Sequence, residues 1–514
     1  MALADPRGRT TALPEPLAAS LAEWLRATVG LRAAPSDRRE LERRLRVAQD
    51  DFGFDDLEEF VRWLVAQDPS RAQVEKLAAR LTIGETYFFR ENQALQALRT
   101  ALLPPLLEAR RASERRLRLW SAGCSTGEEA YSLAMLLDQA VPDAASWNIS
   151  ILATDINPVA LRKAEEGVYT EWSFRGTPGW IRQRYFEKVD GRAYRVVPEL
   201  RRAVTFSYLN LSDETYPSLQ TGTNAMDFIF CRNVLMYFAP AQIAAVAERF
   251  HRCLLDGGYL VVSPVETPFL TGLPFTAERH HGWTLHRKAG KGRRAPEAKA
   301  RAVLRPAAAA GRAPQPAAAR PRAVAVRPAV AALPRVPSSA EPEASVPKPA
   351  PQLHAATELY RAGRYAEAEE QLRTLLAAGG ADHAPAALLA RVLADQGRLQ
   401  EAATWCREAL AADKTDAGLH YLLATVLQEQ QQPDEARASL NRALYLEHEF
   451  VLAHFALVNL ALAAGRRDEA RRHVANVRTS LRRYGAADVL PESDGMTAAT
   501  LALVVDAVEV QEGL

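Results

Sequence analysis

The sequence predicts a multidomain protein: a small all-α domain, an α/β domain with a parallel sheet, a disordered linker and an all-α superhelix of repeats. Three observations predict it. Up to about residue 115 the apolar residues recur at helical spacing, and from there to 288 strand-like runs alternate with helices. Beyond 353 the chain repeats itself with a 34-residue period. Of its 514 residues 48% are hydrophobic and 25% charged, the ordinary composition of a soluble globular protein. A net charge of +2 gives no global basic field, so nucleic acid is not expected as a partner. Cys124, Cys231, Cys253 and Cys406 are far apart, which excludes a disulfide scaffold and a cysteine-rich metal site and suits a reducing compartment. No run approaches the roughly 18 apolar residues that span a bilayer, and MALADPRGRT lacks the apolar region of a secretory signal. The expectation is a cytoplasmic protein.

The first domain, 15–92, is read from LAASLAEWLRATVG, RRELERRLRVAQD, LEEFVRWLVAQ and VEKLAARLTI. Its second helix carries Arg38, Arg39, Arg43, Arg44 and Arg46, a strongly basic face unless Glu40 and Glu42 hold it as a solvated one. In 93–288, LRLWSA precedes EEAYSLAMLLDQAV, ISILATDI precedes PVALRKAEEG, and MDFIFCRN precedes AQIAAVAERFHRCL, before GYLVVSP. Alternation of this kind argues for a parallel sheet covered by helices. Residues 167–205 interrupt it with GVYTEWSFRGTPGW, FEKVDGRAYRVV and AVTF.

Residues 289–352 hold 12 prolines, no aromatic residue, 12 Lys+Arg and 3 Asp+Glu, a net of +9 that leaves −7 for the rest. Such a segment buries too little apolar surface to offset its chain entropy and reads as a basic linker. From 353 to 485, Gly363, Gly397, Gln431 and Gly465 stand 34 residues apart, as do four Glu-Ala pairs beginning at Glu367, Glu401, Glu435 and Glu469. A helix–turn–helix unit of this length resembles the tetratricopeptide repeat, whose superhelix binds a protein or peptide. Gln431 marks the third unit as slightly irregular. The remainder, 486–514, contains GMTAATLALVVDAV, an apolar helix suited to capping the stack.

Ligands of a parallel sheet sit beyond the carboxyl ends of its strands. The first strand runs into Ser121-Ala122-Gly123-Cys124-Ser125-Thr126-Gly127-Glu128-Glu129, where Gly123 lets the backbone approach a ligand. The second ends at Asp155, placed to accept hydrogen bonds from ribose hydroxyls, and another ends at Arg232-Asn233. The dinucleotide pattern G-x-G-x-x-G is absent. G-x-S-x-G is matched literally, but a nucleophile elbow follows several strands and only helices precede this one. Glu128 and Glu129 would repel a pyrophosphate and favour a ligand with a cationic head. S-adenosylmethionine has such a head and a ribose for Asp155. The pair His280-His281 has no accompanying ligands, and no metal is expected.

Six motifs then carry a specific resemblance: ETYFFREN, LWSAGCSTGEEAYSLAM, ILATDINPVAL, YRVVPELRRAVTFSYLNL, MDFIFCRNVLMYF and LLDGGYLVVSPVE. Over about 15–288 the chain resembles the chemotaxis receptor methyltransferase (CheR-type) family. The resemblance implies a Rossmann-like methyltransferase domain, with 167–205 as a small β subdomain able to dock a receptor tail. It implies methyl transfer from S-adenosylmethionine to glutamates of methyl-accepting chemoreceptors, leaving S-adenosylhomocysteine. The family's cofactor contacts fall on Thr86, Arg90, Glu129, Asp155, Asn210, Leu211, Arg232 and Asn233, and Tyr237 matches a tyrosine of the reaction centre. Arg90 is expected to guide the substrate carboxylate; a guanidinium holds two oxygens in a fixed fork but stays protonated and cannot act as a base. The arginine-rich helix has a family counterpart facing the receptor, so receptor docking is expected there. Some members have Asn where this chain has Gly84, at a cost of one cofactor hydrogen bond. The protein would then associate peripherally with membrane receptor arrays, while the repeats bind an unidentified protein or peptide. The alternatives are a non-catalytic scaffold that keeps the fold, and the same reaction in a pathway not controlling motility.

Overall fold

The computed structural model describes residues 13–289 and 351–512, apart from 33–37, 67–68, 83, 113–114, 190, 379–382, 487 and 494–495. The linker expected at 289–352 lies almost wholly outside the described residues. Helices α1 (Glu15–Val29), α2 (Arg38–Phe52), α3 (Leu57–Val65) and α4 (Arg71–Leu81) form the first domain. Their helical-period apolar residues, among them Leu25, Leu45, Phe60 and Leu77, share one core. The Asp56 carboxylate accepts from Glu59 N to start α3, and Ser70 with Gln73 forms a capping box for α4. α5 (Asn92–Ala97) and α6 (Leu103–Arg110), joined by a π turn, lead into the sheet.

The α/β domain runs β1 (Arg116–Ala122), α7 (Glu128–Ala140), β2 (Asn148–Asp155), α8 (Pro158–Glu166), β3 (Val168–Thr170), α9 (Gly179–Tyr185), β4 (Phe186–Lys188) and β5 (Ala193–Val196). It continues with α10 (Pro198–Arg202), β6 (Val204–Tyr208), β7 (Met226–Phe230), α11 (Pro240–Cys253), β8 (Leu254–Val261), β9 (Phe275–His280) and β10 (Trp283–Lys288). The main sheet has the order β6-β2-β1-β7-β8-β10-β9. β6 through β8 are parallel, and a β9–β10 hairpin closes the edge antiparallel. β3, β5 and β4 form a separate antiparallel sheet. AVTF, grouped by sequence with that insertion, belongs instead to the main sheet: β6 pairs parallel to β2, Val204 opposite Ile151. Chain direction reverses its course across the sheet between β1 and β7, and this switch point places the functional crevice.

The second all-α region consists of four helix pairs: α12 (Pro351–Arg361) with α13 (Tyr365–Ala377), α14 (Ala384–Asp395) with α15 (Leu399–Ala412), α16 (Ala417–Glu429) with α17 (Pro433–Leu446), and α18 (Val451–Ala463) with α19 (Arg467–Leu481). Gly363, Gly397 and Gly465 take φ of 68°, 74° and 71° in their turns, and Gln431 takes 60°. The third unit therefore keeps the same left-handed turn as the others, although a side chain there is strained. α20 (Ala498–Glu512) packs on α19, and its Leu501 and Val505 complete the repeat core.

This superhelix is docked on the main sheet of the α/β domain. Side-chain alternation puts Arg116 and Arg118 of β1 on the face shared with Trp120, where they are only 5% and 3% exposed. Arg118 is ion-paired with Glu429, and Arg116 donates to the carbonyl of Gly397 at 3.4 Å. Asn148 donates to the Glu429 carbonyl (2.9 Å), Asn224 to that of Ala394 (3.1 Å), and Leu219 enters the repeat core. The contacts lie at the amino-terminal ends of β1 and β2, opposite the crevice.

Candidate active site

A cavity of about 440 Å³ opens at the carboxyl ends of β1, β2, β6 and β7, and the first domain walls it on one side through Leu25, Arg44 and Ala78. Gly123, at φ 80°, begins the loop after β1; a Cβ there would lie 2.4 Å from Val234 Cγ2, so only glycine lets the loop after β7 come this close. Gly123 N and Cys124 N both donate to Thr154 O, at 2.7 and 2.9 Å, which fixes the loop on β2.

The Asp155 carboxylate accepts from Ser125 N and Asn157 N, each at 2.8 Å. Burial raises its pKa, and those backbone amides oppose the rise. Glu129 accepts from Ser121 Oγ (2.6 Å) and from Arg232 Nε (2.7 Å), while Arg232 Nη1 donates to Arg90 O at 2.7 Å. The Arg232 side chain is 3% exposed, so this ion pair is buried and hydrogen-bonded on both sides, the condition for it to be tolerated. Burial first, and then the Asp155 and Glu129 carboxylates, push the Cys124 thiol well up. With Asp155 and Glu129 both lining the cavity beside it, the loop is better suited to a cation than to an anion. Ser125 Oγ is buried without a hydrogen-bond partner among the described residues, and it too lines the cavity.

Arg90 and Tyr237 line the same cavity. Arg90 Nη1 donates to Glu85 O at 2.6 Å, and its guanidinium lies 5.9 Å from the Tyr87 ring centroid. Burial raises the Tyr237 pKa against the opposing pull of the Arg90 and Arg44 guanidiniums, so the phenol is protonated at neutral pH. Arg32 N donates to Tyr237 O at 2.6 Å, tying the first domain to the same turn.

The pattern of the CheR methyltransferase SAM-binding domain matches residues 84–270. Tetratricopeptide repeat patterns match 353–417, 393–449 and 451–476. The chain is 34% identical over 217 residues to a chemotaxis protein methyltransferase of Borreliella burgdorferi, covering 42% of this chain and 75% of that one. This chain belongs to the chemotaxis protein methyltransferase family. It is 32% identical over 225 residues to chemotaxis protein methyltransferase 2 of Vibrio cholerae (44% and 76% covered). It is 33% identical over 251 residues to a probable biofilm formation methyltransferase of Pseudomonas aeruginosa (48% and 56% covered). As a family member with this domain it is an S-adenosylmethionine-dependent methyltransferase, and the negative loop and orphan Ser125 hydroxyl fit that cationic group.

In this methyltransferase the residues singled out by sequence converge. Thr86, Arg90, Gly123, Glu129, Asp155, Asn210, Leu211, Arg232, Asn233 and Tyr237 all line the one cavity. Glu128 does not join Glu129 there: it is buried facing away, accepting from Thr126 Oγ1 and Ser173 Oγ at 2.6 and 3.0 Å. Of the α2 arginines, only Arg44 reaches the cavity. Arg43 and Arg44 pair with Glu40 at 2.6 and 2.8 Å, Arg38 and Arg46 with Glu42 at 3.1 and 3.9 Å, and Arg39 is exposed. Sequence reading missed Glu266. It is fully buried, and its carboxylate accepts from Asn233 N (2.8 Å), Val234 N (2.7 Å) and Met236 N (3.2 Å), shaping the turn that carries Tyr237. Its signal was an acid a few residues past a buried strand that ends at Val261, in LVVSPVE. Among the described residues no helix is long and apolar enough to cross a membrane, and no cluster suits a metal.

Proposed function

We propose that this methyltransferase esterifies glutamate side chains in the cytoplasmic domains of methyl-accepting chemoreceptors, working in the cytoplasm beside membrane receptor arrays. The observation that carries the reading is the placement of Arg90 and Tyr237 in the same cavity as the acidic loop. S-adenosylmethionine, when bound, supplies an activated methyl group and leaves as S-adenosylhomocysteine. Asp155 would hold ribose hydroxyls, since each of its oxygens keeps a lone pair beyond the backbone amides. Glu129 would face the cationic end, with Ser121 and Arg232 fixing its rotamer. Thr86, Asn210, Leu211, Arg232 and Asn233 complete the walls around the cofactor.

A glutamate is already a nucleophile at neutral pH, so orientation and water exclusion are what this chain must provide. Arg90 offers its remaining N–H groups to the substrate carboxylate, and the protonated Tyr237 hydroxyl donates to it. The first domain covers the cavity and excludes water. The net positive charge of α2, carried by Arg38, Arg39, Arg43, Arg44 and Arg46, would steer the glutamate-rich receptor helices, while the repeats recruit a second partner. Likeness to the probable biofilm formation methyltransferase supports a second reading, the same reaction in a pathway with another output.

The test is transfer of labelled methyl to membranes carrying the host's receptors. Base-labile label with the wild type, lost in Arg90→Ala and Asp155→Ala, is expected. Cofactor binding without label on any receptor glutamate would sink the substrate assignment, and neither binding nor label would leave a scaffold.

A further inference from the structure

The repeat domain has two sides, and its own catalytic domain occupies one. Tyr421, Thr425 and Gln428 of α16, with Leu452 and Phe455 of α18, face β2 and β6 across a gap of about 980 Å³. The opposite side of α16 presents His420, Leu423 and Leu427, the floor of a groove of about 760 Å³ between α15 and α17. Among the described residues no element outside these repeats lines this outer groove, and Tyr445 at its edge is 89% exposed.

Its chemistry is specific. The floor is apolar, whereas Arg407, Lys414 and Arg442 stand exposed around it. Arg407 lies 3.4 Å from Glu435, but no carboxylate pairs with Lys414 or Arg442 among the described residues. His420 is 7% exposed, and its Nδ1 has no hydrogen-bond partner there. A buried unpartnered nitrogen costs free energy unless a ligand satisfies it. Exposed like charges over an apolar floor repel one another and attract an anionic ligand.

We propose that this outer groove docks an acidic peptide segment of a partner protein, seating an apolar side chain on Leu423 and Leu427 and its carboxylates on Lys414 and Arg442. The inference rests on the reading that the repeats recruit a partner, and it specifies where and by what chemistry. Because the inner side already holds the catalytic sheet, this partner binds without displacing it, and methyl transfer proceeds with the groove filled.

The test uses the full chain and two fluorescein-labelled peptides, one of Glu, Leu and Ser and one with every Glu replaced by Gln. Saturable anisotropy is expected for the acidic peptide, about tenfold weaker for its Gln counterpart and weaker again at high salt. The doubly substituted K414E/R442E protein should lose about tenfold in affinity. Its unchanged circular dichroism is expected, since both side chains are exposed, and Tyr445→Ala gives an independent second variant. Equal binding of both peptides, no saturable binding, or unaltered affinity in both variants would overturn the proposal. So would a dimer of the free chain that K414E/R442E abolishes, or preference for anionic phosphatidylglycerol vesicles over the peptide. Methyl transfer measured on the same preparations reports the proposed reaction separately.

Discussion

Arg118, near the amino-terminal end of the interior strand β1 of the catalytic sheet, is ion-paired with Glu429 at the end of a repeat helix 311 residues further along the chain. The guanidinium is 3% exposed, and its other contact is a hydrogen bond of 2.6 Å to Gly222 O. Glu429→Ala leaves that charge buried and unpaired, which costs about 3 kcal/mol. Urea unfolding should show the loss, and a double-mutant cycle with Arg118→Met should show strong coupling. Additive effects of the two changes would deny the pairing.

Glu266→Gln replaces one carboxylate oxygen by an NH2 group, which cannot accept the backbone N–H groups that this oxygen holds in the 233–236 turn. The expected loss is about 2–4 kcal/mol of stability, with slower methyl transfer because Tyr237 shifts with the turn. Unfolding curves and labelled methyl transfer on one preparation check both effects.

His286 lies on β10, 3% exposed, with its pKa pushed down to about 4 by burial. Its folded value lies below the unfolded value of about 6.5, so the neutral ring stabilises the fold above that pH. The contribution disappears as pH falls toward 4, by about 2 kcal/mol at pH 5. Denaturation at pH 7 and pH 5 should show the drop, and His286→Leu should reduce it. An identical drop in the variant would exclude His286 as its source.

A Cβ on Gly84 would lie 2.9 Å from Ser125 Oγ. Gly84→Asn, which restores the amide of some family members, should therefore leave S-adenosylmethionine affinity unchanged or weaker by itself. Combined with Ser125→Ala, which removes the obstructing oxygen, it should bind more tightly by about tenfold. Calorimetry on the single and double variants decides it.

The strand–helix alternation, the acidic glycine loop and the repeat period were legible because each is local: spacing and turn chemistry fix them within a few residues. Asp155 and Arg232 were legible because strand ends of a parallel sheet converge on one edge. Glu266 was not, since the amides of the turn it holds lie 30 to 33 residues earlier, and an acid after a strand does not say which turn it binds. The α2 arginines read as a uniform basic face, yet spacing of three and four residues lets Glu40 and Glu42 each pair with two of them, which offsets only part of the charge. The docking of the two large domains was written in LRLWSA and the arginine before it: Arg116 and Arg118 alternate with buried leucines in a central strand, where charge needs a cover. The strand's period was visible; the identity of its cover was not.

The docking also fixes a length. The turn of the first repeat meets Arg252 at Gly363, that of the second meets Arg116 at Gly397, and the third helix pair delivers Glu429 to Arg118. At the far end Glu492 returns to contact both Gln220 of the catalytic domain and Arg391 of the second repeat. An array held at both ends works as a gauge block rather than a string of interchangeable beads. Inserting or deleting one 34-residue unit between these anchors would keep every repeat intact and still break the assembly, so the number four is a dimension of this enzyme.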